Sequence, residues 1–338
     1  MHNFKKALIA SLCFLLCFAA MFAVVVYPAF GTDSVYNDSA KRRELAGSTD
    51  FLICGASHAL GAFVPDIIDE ELGCRSYNLS SYAASFDGKY WLIKKELERN
   101  PVDTFVLEIS YDTLRDYSGD RSTGEPMTIL KLDSFGERLR YMAKYVPITD
   151  LDKVGSVTLR YGLNAWKAKL SGQLNIPQSN RGYVPNTAKA LHNDAQSILE
   201  RAGSRSIEAF DPDSMEMVRR IAAVCREKGA EMIVVVVPVS ERHILSYANL
   251  DEFRIALNEF CAELDVSCYD FNLLKNRGEI FSDEDCFFDS SHIGGVGAEK
   301  FSRVFSELML AKAEGQDTEG RFFPDYAEAE KALMEKYK

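Results

Sequence analysis

Three residue types that together make an activated nucleophile stand at opposite ends of this chain. Ser57 closes the stretch Phe51-Leu-Ile-Cys-Gly-Ala-Ser57, and Asp289-Ser-Ser-His292 lies far downstream, followed by Gly294, Gly295 and Gly297. A serine hydroxyl is a weak nucleophile at neutral pH. It attacks an acyl carbon when an imidazole takes its proton and a carboxylate orients that imidazole. Asp289 and His292 are three residues apart on one expected loop, so the carboxylate can reach the ring with little chain to order. The expected roles are Ser57 as nucleophile, His292 as base and Asp289 as its partner. Taken singly, a serine after a strand is more often a helix N-cap, and Asp-x-x-His arises by chance. Their order and their placement after the first and last strands carry the reading.

The elements that must position them follow a strand–helix rhythm. Residues 50–54 read as an apolar strand broken by Gly55. Apolar positions at Phe63, Ile67, Ile68 and Leu72 predict a helix ending at Gly73, with Pro65 limiting where its regular part begins. Residues 74–79 predict a second strand, 86–99 a helix, and 104–110 a near-continuous apolar strand of the kind buried on both faces of a parallel sheet. The rhythm stops at Tyr111. From about 112 to 208 no strong strand appears, and helical stretches at about 127–145 and 150–171 alternate with loops such as 178–185. That is too long for a simple connection, and it predicts a helical insertion, either a lid or acceptor-binding element or a purely structural cap. The rhythm resumes with a helix over 211–228 capped by Asp211 and Pro212, a strand over 232–239, a helix over 251–264, a strand over 266–271 and a helix over 296–313. Residues 314–338 predict a docked helical tail. The expected fold is α/β: three layers, α/β/α, around a mostly parallel, flavodoxin-like sheet. In such sheets ligands meet the C-terminal strand ends, the edge that Ser57, Asp289 and His292 would share.

Composition sets the surroundings. Hydrophobic residues make up 47% and charged residues 26% of the 338 residues, values of a globular chain with a core. The net charge of −11 argues against a nucleic-acid partner. Lys5 and Lys6 precede an uncharged run over residues 7–30, which as a helix spans roughly 36 Å, enough to cross a bilayer. It is longer than the apolar core of a cleaved signal peptide. The expectation is therefore a signal anchor over 1–31, a polar spacer over 32–48, and a single-pass protein of the cell membrane whose catalytic domain, 49–313, is extracytoplasmic. Eight cysteines show no CxxC or zinc spacing; Cys261 and Cys268 are close enough for a bridge if the compartment oxidises thiols. Five histidines offer no metal-site spacing, so no metal and no cofactor is expected.

The wording Gly55-Ala-Ser57-His58, Ser76-Tyr-Asn-Leu79 and Val106-Leu-Glu-Ile-Ser110, with Asp289-x-x-His292 in the last block, resembles the SGNH (GDSL-type) hydrolase superfamily. It is similar in particular to a membrane-anchored branch that includes the D-alanyl-transfer protein of teichoic-acid modification and alginate-acetylation-type acetyltransferases. The resemblance covers most of 50–110 and 230–312 but not the insertion. It implies an oxyanion hole built from the Ser57 backbone N–H, a second-block group near Ser80 and Ser81, and a third-block asparagine. The chain departs from that pattern. Ala56 replaces the aspartate of GDS, Ser80 or Ser81 stands where glycine is usual, and Ser110-Tyr-Asp112 replaces Gly-x-Asn-Asp. His58, Asn78, Ser80, Ser81 and Asp112 are accordingly the candidates for oxyanion or substrate contact. Asn78 reads equally as a strand-end residue, and His58 as a helix-start residue. An α/β-hydrolase is the rival fold, but it wants G-x-S-x-G and position 59 is Ala.

The resulting expectation is acyl transfer through an acyl-Ser57 intermediate. Water as acceptor gives an esterase or deacetylase; a hydroxyl of a cell-surface glycan or teichoic-acid-like polymer gives an O-acyltransferase. The expected partners are that acylated or acyl-accepting envelope polymer, the membrane through the N-terminal helix, and a membrane-bound acyl-donor protein. The alternative is a non-catalytic envelope assembly or glycan-binding protein on a degenerate SGNH scaffold.

Overall fold

A computed structural model describes residues 2–32, 34, 36–115, 121–172, 180–187, 198 and 200–335. Five parallel strands form its one named sheet: β1 (Phe51–Cys54), β2 (Ser76–Asn78), β3 (Thr104–Glu108), β4 (Glu231–Val236) and β5 (Ser267–Asp270), in the order β2-β1-β3-β4-β5. β1 lies between β2 and β3, with Ile53 opposite Asn78 on one side and Val106 on the other. The fold is the expected helix-rich α/β architecture.

Both faces of the sheet are apolar because helices cover both. On one face Phe51, Ile53, Val106, Ile233, Val235 and Phe271 join a core with Phe301 and Phe305 of the helix Gly295–Ala313. That helix also packs on Ser57–Ala62 and Pro65–Leu72. On the other face Phe86–Arg99 packs with Pro212–Lys228. Burying a phenylalanine is worth about 1.5–3 kcal/mol, so the ring cluster of Phe63, Phe271, Phe301 and Phe305 is a main tie between sheet and helix.

Three local differences from the sequence expectation have simple causes. The helix after Ser57 is two helices, because Val64 precedes Pro65 and takes an extended conformation. β4 ends at Val236, two residues before Pro238, which has no N–H to give to a ladder. The expected loop over 178–185 folds back on the edge of the sheet where residues 180–185 are described: the Arg181 carbonyl accepts the Asn78 N–H at 2.9 Å. Gly182 makes this possible, since its φ is +89° and a Cβ there would lie 1.6 Å from the Asn78 carbonyl oxygen.

The chain divides into two compact units, one of residues 1–40 with 121–178, the other of 41–120 with 179–338. The second contains the sheet. Within the first, the helix His2–Met21 opens the chain, and Phe4–Val24 is long and apolar enough to cross a membrane, with a mean hydropathy of 2.6 and none of it buried. The helices Arg121–Lys131, Phe135–Tyr145 and Leu151–Leu170 belong to the same unit. The Phe22 ring meets the Phe135 ring edge-on at 5.0 Å, and buried Lys131 pairs with buried Asp38 at 3.2 Å. The stretch 32–48, expected as a polar spacer, is therefore partly built in: Asn37, Asp38 and Ser39 are buried, and Arg42 forms a buried ion pair with Glu96 in the sheet-containing unit. The insertion residues 116–120, 173–179, 188–197 and 199 lie outside the described residues.

Candidate active site

β1 ends in a turn that only glycine allows. A Cβ on Gly55 would lie 2.5 Å from Glu108 Oε2 and 2.6 Å from the Ala59 Cβ. Through that gap the chain swings to Ala56, whose N–H donates to Glu108 Oε2 at 3.0 Å, and then to Ser57, the first residue of Ser57–Ala62. Glu108, the last residue of β3, thereby holds the Ser57 turn from the neighbouring strand.

His292 comes from a loop tied down at several points. Asp289 Oδ1 accepts the N–H groups of Ser291 and His292, each at 2.8 Å. The Ser290 carbonyl accepts the Ser240 N–H at 3.1 Å and its hydroxyl at 2.8 Å, linking the loop to the segment after β4. Asn186 Nδ2 donates to the Ile293 carbonyl at 2.9 Å. Both Asp289 oxygens lie 3.0 Å from His292 Nδ1, and His292 Nε2 lies 2.9 Å from Ser57 Oγ. A carboxylate only accepts, so Nδ1 carries the ring proton and Nε2 is left to accept from the serine hydroxyl. Burial raises the Asp289 carboxyl, but the hydrogen bond and charge of His292, with the two backbone N–H groups, outweigh it and hold the group well below the usual carboxylate range.

Ser57 and His292 open on a cavity of about 340 Å³ whose walls also include His58, Asp112, Arg205 and His243. His58 stacks on His292, with ring centres 4.5 Å apart and planes 8° from parallel. Burial, then the neighbouring His292 and His243, push its pKa down to about 3, so it is neutral beside the base at neutral pH. His243 follows the same rule. Burial first and then Arg205 lower it to about 4, and its ring stacks on Tyr111 at 5.9 Å.

The remaining expected contacts separate. Ser80 and Ser81 are buried and do not line the cavity. Asn78 does not line it either. Its Nδ2 donates to the carbonyls of Ala59 at 2.8 Å and Phe63 at 3.3 Å, and its Oδ1 accepts the Ser80 N–H at 3.1 Å, so the side chain ties β2 to the end of Ser57–Ala62. Asp112 lines the cavity, but as a carboxylate it cannot donate to an oxyanion; it lies 3.6 Å from Arg205 Nη2 and accepts from the Tyr247 hydroxyl at 3.4 Å. Among the described residues no group of three or more His, Cys, Asp or Glu side chains could hold a metal ion. Cys261 and Cys268 are free thiols.

His243, Arg205 and Glu108 were absent from the sequence-based candidates. For Glu108 and His243 a signal existed, since both lie at or just past the C-terminal end of a central strand. Arg205 had none, because it reaches the site from the far end of the insertion.

No protein-family model matches the chain, and no curated protein matches it. Among solved structures it is similar to protein YxiM of Bacillus subtilis, at 11% identity and a TM-score of 0.39 over 80% of this chain and 58% of that one. It is also similar to a Streptococcus pneumonia protein provisionally named a platelet activating factor, at 12% identity and a TM-score of 0.36 over 87% of this chain and 98% of that one. The chain thus spans little more than half the length of the Bacillus protein.

Proposed function

We propose that this chain is an SGNH-type serine acyl-transfer enzyme of the cell envelope, held at the membrane by its N-terminal helix with the catalytic unit outside. The observation that carries the reading is the line of contacts from Asp289 through His292 to Ser57, with 3.0 Å and 2.9 Å separations. In the first step Ser57 Oγ forms a bond to the acyl carbon of an ester while its proton passes to His292 Nε2. Collapse of the tetrahedral adduct breaks the ester C–O bond, and the departing alkoxide takes that proton. Water or a polymer hydroxyl then attacks the acyl-Ser57 carbonyl with the same base, giving ester hydrolysis or O-acyl transfer. The Ser57 N–H is the oxyanion donor that the turn offers. A cell-surface glycan or teichoic-acid-like polymer is the substrate that fits the membrane helix. A membrane-bound acyl-donor protein is the corresponding partner for the transferase form.

The test is labelling with a fluorophosphonate serine probe. Because residues 1–40 share a compact unit with 121–178, it uses the full chain in detergent. Labelling that Ser57→Ala and His292→Ala each abolish is the expected result. No labelling, under conditions where a control esterase reacts, would favour a donor-gated transferase or the non-catalytic scaffold instead.

A further inference from the structure

Arg205 is built into the wall of the same cavity more rigidly than an ordinary surface arginine. Its N–H donates to the Ser246 carbonyl and its carbonyl accepts from the Ala248 N–H, both at 2.9 Å, so its backbone is strapped to the segment after β4. Its guanidinium stacks on the Tyr247 ring, with Cζ 4.4 Å from the centre, and Tyr247 in turn donates to Asp112. The guanidinium is therefore held over a ring that Asp112 itself anchors. Its one ion pair among the described residues is long, 3.6 Å to Asp112, beyond hydrogen-bonding length, and its side chain is 46% exposed. Most of its five N–H donors remain for a ligand.

A planar, pre-oriented fork suits a carboxylate or phosphate, which it can grip with two parallel bonds. The rest of the chain works against such a ligand: its net charge is −11. At physiological salt that general repulsion is screened beyond roughly 8 Å, so capture of an anion depends on cations at the site itself. His58 and His243 do not supply one, because both are held neutral at neutral pH. The cavity's lining includes two arginines, Arg205 and Arg115.

We infer that Arg205 receives an anionic group of the ester substrate, a carboxylate or phosphate lying in the same cavity as the carbonyl that Ser57 attacks. This rests on the acyl-transfer reading above and narrows it to anionic esters. An anion on the acyl part and one on the alcohol part are two sources of the same chemistry, and two ester pairs separate them. Phenyl butyrate against phenyl hemisuccinate places the charge on the acyl chain; phenyl acetate against meta-acetoxybenzoate places it on the alcohol. Each rate is normalised to hydroxide hydrolysis, and only the ratio of kcat/KM within one protein is read, so that losses of folded enzyme cancel. Wild type should favour the anionic member of at least one pair about fivefold. Arg205→Gln should bring that ratio to about one, and Arg205→Lys should keep part of it. Equal rates within both pairs for wild type, or a preference that survives Arg205→Gln, would overturn the inference. A second arm needs no turnover: succinate should raise the thermal midpoint of wild type but not of Arg205→Gln. If the fluorophosphonate probe fails and this shift appears, the anion site stands without the hydrolase reading; if neither variant nor wild type shifts and the anionic esters are not preferred, the site does not exist.

Discussion

Lys89→Met tests the support beneath the nucleophile. Glu108 Oε2 is occupied by the Ala56 N–H at 3.0 Å. Its other oxygen and the Lys89 ammonium are both buried without a hydrogen-bond partner among the described residues, and the ammonium sits 4.1 Å from the Phe86 ring centre. Burial is the larger influence on each group: it raises the Glu108 carboxyl and lowers the Lys89 amine, while each charge pulls the other back. Lys89 and Glu108 make no direct ion pair, so loss of the ammonium costs less than the roughly 3–5 kcal/mol of a broken buried contact pair if Glu108 stays charged. Glu108 has an escape, since it can take up a proton and remain an acceptor for Ala56 through its carbonyl oxygen. A carboxyl whose folded pKa is raised keeps a proton in the native state that the unfolded chain has lost. Its stability contribution is therefore full below the ordinary glutamate value and is lost as pH rises towards the folded pKa, at up to about 1.4 kcal/mol per pH unit. In Lys89→Met that rise is larger than in wild type, because the lowering charge is gone. The variant should thus nearly match wild type near pH ~5 and fall away above it, by up to about 2 °C of thermal midpoint per pH unit in a chain of this size. Adding Glu108→Gln should flatten the curve, since glutamine still offers an oxygen to Ala56 and carries no charge. Glu108→Ala should instead leave the Ala56 N–H unsatisfied, cost about 1–3 kcal/mol and slow fluorophosphonate labelling of Ser57. Parallel midpoint curves for wild type and Lys89→Met from about pH 5 to 9 would refute the coupling.

Two further expectations follow from single contacts. Asp289→Asn keeps an oxygen for the loop N–H groups but loses the charge that fixes the Nδ1–H form of His292, so labelling should slow by about two to four orders of magnitude with little change in thermal midpoint; an unchanged labelling rate would remove Asp289 from the relay. Gly182→Ala places a Cβ where the Asn78 carbonyl stands and forces a left-handed φ on alanine, so the midpoint should drop by several degrees, and an unchanged midpoint would contradict the edge-loop packing.

What could be read from the sequence follows the range of the interactions involved. Ser57 was legible because Gly55 breaks an apolar run within three residues, and Asp289 with His292 because their contact is local to one loop. The parallel sheet was legible because strands such as 104–108 are apolar on both faces. Asn78 was ambiguous for a physical reason: its role depends on whether its amide finds the carbonyls of Ala59 and Phe63, nineteen and fifteen residues away, and it does. Arg205 was illegible, since what makes it more than a surface cation is the Tyr247 ring beneath it and the Ser246 carbonyl behind it. The helix break at Val64–Pro65 was half legible: the proline was seen, but not that the chain would resume as a second helix.

The parallel topology explains why so many of these groups converge without a motif. Each central strand delivers its C-terminal end to the same edge. β1 brings Ser57. β3 brings Glu108, which holds the Ser57 turn, and the segment after it brings Asp112, which accepts from the Tyr247 hydroxyl beneath Arg205. The segment after β4 brings His243 and, through Ser240, anchors the loop that carries His292. β2 sends only Asn78, and it is spent on holding the helix that starts at Ser57. An oxyanion donor from a side chain after β2 or β3 is therefore not needed to account for the positions of these residues; the scaffold fixes the nucleophile and base from their backbones, and it leaves the cavity wall facing them to select the substrate. On that division, changes at Glu108 or Asn78 act on every substrate alike, whereas changes at Arg205 alter only the ratio between them.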